Sequence, residues 1–140
     1  MDSDNGDRLG MGFLLAGLAN FVVLIAPLGL IESFDAVDPH FDDAGCILIA
    51  LWGAAYLSIR HAYRQLPSLC LVFAIEKCSY VVRWIAWFTG ERPTLGRIYA
   101  DNAWHGIFFS IYGAVDAIAM LFFTVAAVTA YRNQADIPRA

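Results

Sequence analysis

Four long apolar stretches occupy most of this chain and limit what it can fold into. Of the 140 residues, 59% are hydrophobic and 16% are charged, against about 45–50% and about 25% in soluble domains. A domain of this size cannot bury so much apolar surface in its own core, so we expect the excess to face lipid. A membrane crossing takes about 20 residues of helix. The predicted spans are residues 10–31, 44–63, 67–89 and 103–131.

These spans predict an all-α fold in which residues 1–140 form a single transmembrane domain, an antiparallel four-helix bundle. The arginines give its orientation, because positively charged connections stay in the cytoplasm. Both termini are therefore predicted to be cytoplasmic, in the cell membrane (the inner membrane, if the source is bacterial). Five arginines lie on the predicted inner side, against two on the outer side: Arg8, Arg60, Arg64, Arg132 and Arg139, against Arg92 and Arg97.

Charged residues interrupt the third and fourth spans. Glu76, Lys77 and Arg83 lie in the third, and Asp116 lies in the fourth. An unpaired charge at mid-membrane costs roughly 3 kcal/mol on insertion scales, so these groups are expected to pair. On a helical wheel Arg83 shares a face with Glu76, and Lys77 points about 100° away. Counted from the helix ends, Arg83 and Asp116 reach nearly the same depth, which predicts that these two side chains pair.

A larger polar core is predicted around these charges. Two interpretations remain open: a structural ion-pair network that fixes helix register, and a polar cavity that admits a ligand or a proton. Intramembrane ionisable residues are candidates for function in either case. The predicted core consists of Glu76, Lys77, Arg83, Asp116, Tyr80, Tyr112 and Asn20.

Small residues recur at four-residue spacing and predict close packing between helices, because small side chains let backbones approach. They occur in the first, second and fourth spans. The positions are Gly12, Ala16 and Asn20; Ala50 and Ala54; and Gly106, Ser110 and Ala114.

The predicted outer side offers a metal site from Asp38, His40 and His105. Carboxylates and histidines are the usual ligands of hard cations and zinc. The spacing matches neither an EF-hand loop nor an H-E-x-x-H helix. The alternative is a solvated acidic loop that caps the helices, and no cofactor is predicted.

Function is predicted only by class. The first hypothesis is a non-enzymatic ligand-binding, transport-accessory or assembly component, with the lipid bilayer and a small amphiphile or a membrane protein as partners. The second is a membrane enzyme that acts on a lipid, sterol or quinone-like substrate, with Glu76 or Asp116 as general acid or base. The third is a small proton-coupled carrier. With a net charge of −4 and no basic patch, nucleic acid is excluded as a partner; the oligomeric state stays open.

Overall fold

The described part of the computed structural model covers residues 2–25, 37–38, 41–90 and 92–135. Within these ranges the chain is helical and forms no strand, which confirms the all-α prediction. A short 3₁₀ turn, Tyr63–Gln65, precedes the third helix. The α-helices are α1 (Asp2–Ile25), α2 (Asp43–Ile59), α3 (Pro67–Gly90), α4 (Arg92–Asp101) and α5 (Ala103–Ala135).

Helix α5 is the one described helix that is both long enough and apolar enough to cross a membrane, judged by length and composition. Shorter apolar segments lie in α1 and α2, at Arg8–Leu24 and Asp43–Ile59. Helix α3 has 24 residues, which is long enough, but Glu76, Lys77 and Arg83 lower its hydropathy. The four-span transmembrane bundle therefore stays a prediction.

The helix bounds differ from the predicted spans. Helix α1 begins at Asp2 rather than at residue 10, and residues 26–31 of the first span lie outside the described residues. Helix α5 continues to Ala135, beyond the predicted end at 131. Helix α4 forms where the sequence suggested only a polar connection. It is stabilised by packing on α5, because Ile98 is buried and Tyr99 lies against Gly106.

The chain divides into two compact units, Met1–Tyr63 and Arg64–Ala140. In the first unit, α1 and α2 are antiparallel and cross at a pair of glycines. A Cβ atom added to Gly17 would lie 2.9 Å from the carbonyl oxygen of Gly53, so a side chain at this position would force the helices apart. Near the crossing, Asn20 Nδ2 donates a hydrogen bond to the carbonyl oxygen of Ile49 at 3.1 Å.

In the second unit, α3 and α5 form a long antiparallel pair. The order of contacts shows the direction: Ser68 meets Tyr131, Phe73 meets Phe123, and Trp87 meets Phe109. Pro67 suits the first turn of α3, where its missing N–H group leaves no hydrogen bond unmade. The connection from α4 to α5 is the single residue Asn102, whose side-chain Oδ1 accepts a hydrogen bond from the backbone N–H of Trp104 at 3.0 Å.

Candidate functional site

One face of α3 packs against α5, and buried apolar residues of different sizes define it. Cys70, Phe73 and Ala74 are buried on this face, and Trp84 continues it toward the C-terminal end of the helix. Spacings of three, four and seven residues bring side chains to the same side of an α-helix. Lys77 lies four residues after Phe73 and seven before Trp84, so its side chain is directed at α5.

Three charged side chains meet at this interface. Lys77 Nζ lies 2.9 Å from Asp116 Oδ1 and 3.7 Å from Glu76 Oε1. Lys77 and Glu76 are buried, with 5% and 8% of their surface exposed, and the side chain of Asp116 is 16% exposed. A short, buried contact between an ammonium and a carboxylate is a charge-assisted hydrogen bond, the stronger kind.

An aromatic ring adds to the environment of the Lys77 ammonium. Its Nζ atom lies 5.3 Å from the centroid of the Tyr80 ring, within the distance at which a cation is attracted by the π-electrons of a ring. Two carboxylates and one ring therefore surround the same cation. We call Glu76, Lys77, Tyr80 and Asp116 the charged cluster.

The charged cluster differs from the predicted ion pair in its cation. The sequence predicted Arg83 as the partner of Asp116, whereas Lys77 occupies that position and the side chain of Arg83 is exposed. Arg83 is one residue before Trp84, hence about 100° around the helix from the packed face. The four members of the charged cluster all belong to the larger predicted polar core.

The remaining members of the predicted polar core lie in two places. Tyr112 is buried one helical turn from Asp116 and contacts Trp84 edge-to-face, with ring centroids 6.4 Å apart. Asn20 belongs to the first unit, where it bonds to Ile49.

Sequence reasoning missed a second contact between α3 and α5, in which the ring of Trp84 packs against Gly113. A Cβ atom on Gly113 would collide with the indole ring of Trp84. The indole Nε1–H donates a hydrogen bond to the carbonyl oxygen of Phe109 at 2.9 Å. Gly113 could not be singled out from the sequence, because its contact with Trp84 depends on the register of the two helices.

A similar fit joins α4 to α5. The ring of Tyr99 occupies the space where a side chain on Gly106 would lie, and its hydroxyl is 3.1 Å from Ser110 Oγ. Gly106 and Ser110 belong to the predicted small-residue series, so here that pattern did mark a packing surface.

The predicted metal site lies partly outside the described residues. His40 lies outside them, Asp38 is buried in the first unit, and His105 is buried in the second. In the part of the chain that the structure describes, no three His, Cys, Asp or Glu side chains are grouped to hold a metal ion. A site that includes His40 stays a prediction.

The chemistry of the charged cluster is that of a link between helices. Lys77 approaches the carboxylates of its own helix and of α5 at once, so the contact joins the two helices. The chain matches no protein family, no curated protein and no solved structure. Its function must therefore be inferred from the geometry of its own residues.

Proposed function

We propose that this protein is a multi-pass integral membrane protein with both termini in the cytoplasm, and that it acts without catalysis as a ligand-binding, transport-accessory or assembly component. The observation that carries this proposal is the distribution of its side chains. Glu76 and Lys77 are buried, while large aliphatic side chains are exposed on all four of the long helices. In water-soluble proteins Glu and Lys are almost never fully buried unless paired, and large exposed apolar patches are uncommon.

Helix α5 supports the membrane location most strongly. Its exposed apolar residues follow one another at steps of three or four, so they form a continuous stripe along one side. From Trp104 to Val128 this stripe extends about 36 Å at 1.5 Å per residue, against about 30 Å for the hydrocarbon core of a bilayer. The stripe consists of Trp104, Ile107, Ile111, Val115, Ile118, Leu121, Val125 and Val128.

The other long helices carry similar stripes. On α3 the stripe lies away from the face that packs on α5. Contiguous apolar patches of more than a few hundred Å² are rare on water-soluble monomers, and stripes on several helices together are expected when the surroundings are acyl chains. The residues are Leu71, Ile75, Val82 and Ile85 on α3; Met11, Leu15, Leu18 and Val22 on α1; and Ile47, Leu48 and Leu51 on α2.

The charged cluster supports a non-enzymatic role. A general acid or base must exchange a proton with substrate, which requires a carboxylate oxygen within hydrogen-bond reach of it. Asp116 Oδ1 is instead engaged by Lys77 at 2.9 Å, and Glu76, the other predicted acid or base, is only 8% exposed. A buried ion pair of this kind suits a fixed link, because separating its charges in a low-dielectric setting is costly. The charged cluster then positions α3 and α5, and binding takes place on the surface that the pair presents.

Membrane integration is tested by an alkaline carbonate wash of membranes from cells that express the protein. We expect the protein to remain in the pellet, and its release into the supernatant would contradict the proposal. Topology is tested with reporter fusions. A fluorescent protein joined after Ala140 is expected to fluoresce, and alkaline phosphatase joined after Glu91 is expected to be active, because each reporter works on one side of the membrane.

The non-enzymatic role needs a separate test. Protein extracted in mild detergent is expected to retain a bound amphiphile or a membrane-protein partner in native mass spectrometry. Conversion of lipid, sterol or quinone in reconstituted vesicles, lost in a folded Asp116→Asn variant, would overturn this role in favour of the enzyme hypothesis.

A further inference from the structure

We infer that the end of the α3/α5 pair where α3 begins binds the anionic headgroup of a membrane phospholipid, through the guanidinium groups of Arg64 and Arg132. This inference rests on the proposed membrane location. It adds a ligand class and a position to it: a phosphate-bearing lipid on the inner leaflet, bound where the two helices are joined.

Side-chain contacts hold the two arginines at the same end of the helix pair. Ser68 Oγ lies 3.0 Å from the hydroxyl of Tyr131, and Gln134 Nε2 lies 3.4 Å from the carbonyl oxygens of Arg64 and Gln65. The last turns of α5 are thereby attached to the 3₁₀ turn and to the start of α3. The side chains of Arg64 and Arg132 are both exposed, so each is accessible to a headgroup.

The depth of Arg132 agrees with that of a lipid phosphate. The exposed apolar stripe of α5 ends at Val128, and Arg132 lies four residues further along, about 6 Å at 1.5 Å per residue. The polar layer on each side of the hydrocarbon core is about 5–7 Å thick. Tyr131, 46% exposed, lies between them, and tyrosine is enriched at this level of the membrane.

The charge of this end is complementary to an anionic headgroup. The described residues 64–69 and 128–135 contain Arg64 and Arg132 but no Asp or Glu, and the charges of Asp136 and Arg139, which follow in the sequence, cancel. At the other end of the pair, on α4, the exposed Arg97 is followed by the exposed Asp101, and their charges cancel. Guanidinium groups bind phosphate with two parallel hydrogen bonds. The net positive charge of this end then favours an anionic headgroup over a zwitterionic one, whose cation offsets the charge of its phosphate.

The test uses full-length protein purified in a neutral detergent, with thermal unfolding followed as phosphatidylglycerol or phosphatidylcholine is added. We expect phosphatidylglycerol to raise the unfolding temperature at lower concentrations than phosphatidylcholine. The double substitution Arg64→Gln with Arg132→Gln is expected to weaken phosphatidylglycerol binding about 30-fold, or about 5-fold per arginine. Arg64→Lys with Arg132→Lys should keep part of the binding. Arg97→Gln, at the other end of the pair, is the matched control and should leave the binding unchanged.

Three results would overturn the inference: equal effects of the two lipids, equal loss of binding in Arg97→Gln, or the same stabilisation by inorganic phosphate alone. If the double variant does not fold, the single variant Arg132→Gln is compared with Arg97→Gln in the same titration. Release from membranes by carbonate would refute the proposed membrane location itself. Retention in the membrane without any lipid discrimination would refute only the headgroup site.

Discussion

Lys77 Nζ on α3 lies 2.9 Å from Asp116 Oδ1 on α5, and this contact joins the two helices away from their ends. The same ammonium is 3.7 Å from Glu76 and 5.3 Å from the centre of the Tyr80 ring. One cation thus has partners on both helices. Removing it would leave two carboxylates close together in a setting where charge is poorly solvated.

The first prediction concerns this ion pair. Lys77→Gln is expected to destabilise the protein by about 3–5 kcal/mol, because it leaves two largely buried carboxylates without their cation. Asp116→Asn should cost less, because Lys77 keeps Glu76 at 3.7 Å. The double variant should lose less than the sum of the two single variants, since the Lys77–Asp116 contact is removed only once, and Glu76 then remains as the one buried charge of the cluster. The coupling is expected to exceed about 1 kcal/mol, measured by denaturant unfolding in micelles as a double-mutant cycle.

The matched control for that cycle is Arg83. Arg83→Gln combined with Asp116→Asn should be additive within about 0.5 kcal/mol, because Lys77 makes the contact with Asp116 and the side chain of Arg83 is exposed. A coupling as large as that of Lys77 would mean that the cation of Asp116 has been misassigned.

Lys77, and not Arg83, contacts Asp116. This difference shows which features of the site could be predicted from the sequence and which could not. Helix rise alone predicts depth, and it placed Asp116 of an antiparallel neighbour at nearly the depth of Arg83, six residues beyond Lys77. Which cation faces that neighbour depends on the rotation of α3 about its axis. That rotation is determined by how Phe73 and Trp84 pack against α5. A helical wheel drawn for one helix carries no information about this packing.

For the fold, too, the sequence predicted some features and missed others. Composition was enough to predict long helices, because apolar runs of this length have few alternatives. The small-residue pattern located the packing of α5 at Gly106 but missed the crossing in the first unit. The crossing uses Gly17 and Gly53, each one residue away from a predicted position, Ala16 or Ala54. A one-residue shift turns a helix face by about 100°, so only the partner helix decides which small residue is needed.

A second prediction follows from the packing of the Trp84 ring against Gly113. Gly113→Ala places a methyl group inside the indole ring, so α3 and α5 must move apart, at a cost of about 1–3 kcal/mol. The control is Gly96→Ala on α4, where an added Cβ atom would have no neighbour within 4 Å. Alanine is favoured over glycine in a helix by about 0.5–1 kcal/mol, so the control should be neutral or stabilising. Equal losses in the two variants, measured by thermal unfolding, would refute the fit.

A third prediction separates shape from hydrogen bonding where α4 packs on α5. Tyr99→Phe removes the contact with Ser110 Oγ but keeps the ring in place against Gly106, so we expect a loss of at most about 1 kcal/mol. Gly106→Ala leaves the hydroxyl but excludes the ring, and should cost more. Protection of the α4 amides in hydrogen exchange reports both effects, and a larger loss of protection in Tyr99→Phe would contradict this ranking.

The last prediction concerns the crossing of α1 and α2. Asn20→Ala removes the hydrogen bond to the carbonyl oxygen of Ile49. That oxygen also accepts a hydrogen bond within its own helix, so the loss should be about 1 kcal/mol. Gly17→Ala is expected to cost more, because its Cβ atom would lie 2.9 Å from the carbonyl oxygen of Gly53 and 2.7 Å from Leu57 Cγ. Leu15→Ala, an exposed position on α1, is the control and should change the unfolding free energy least. If Leu15→Ala is the most damaging of the three variants, the packed and exposed faces of α1 have been assigned the wrong way round.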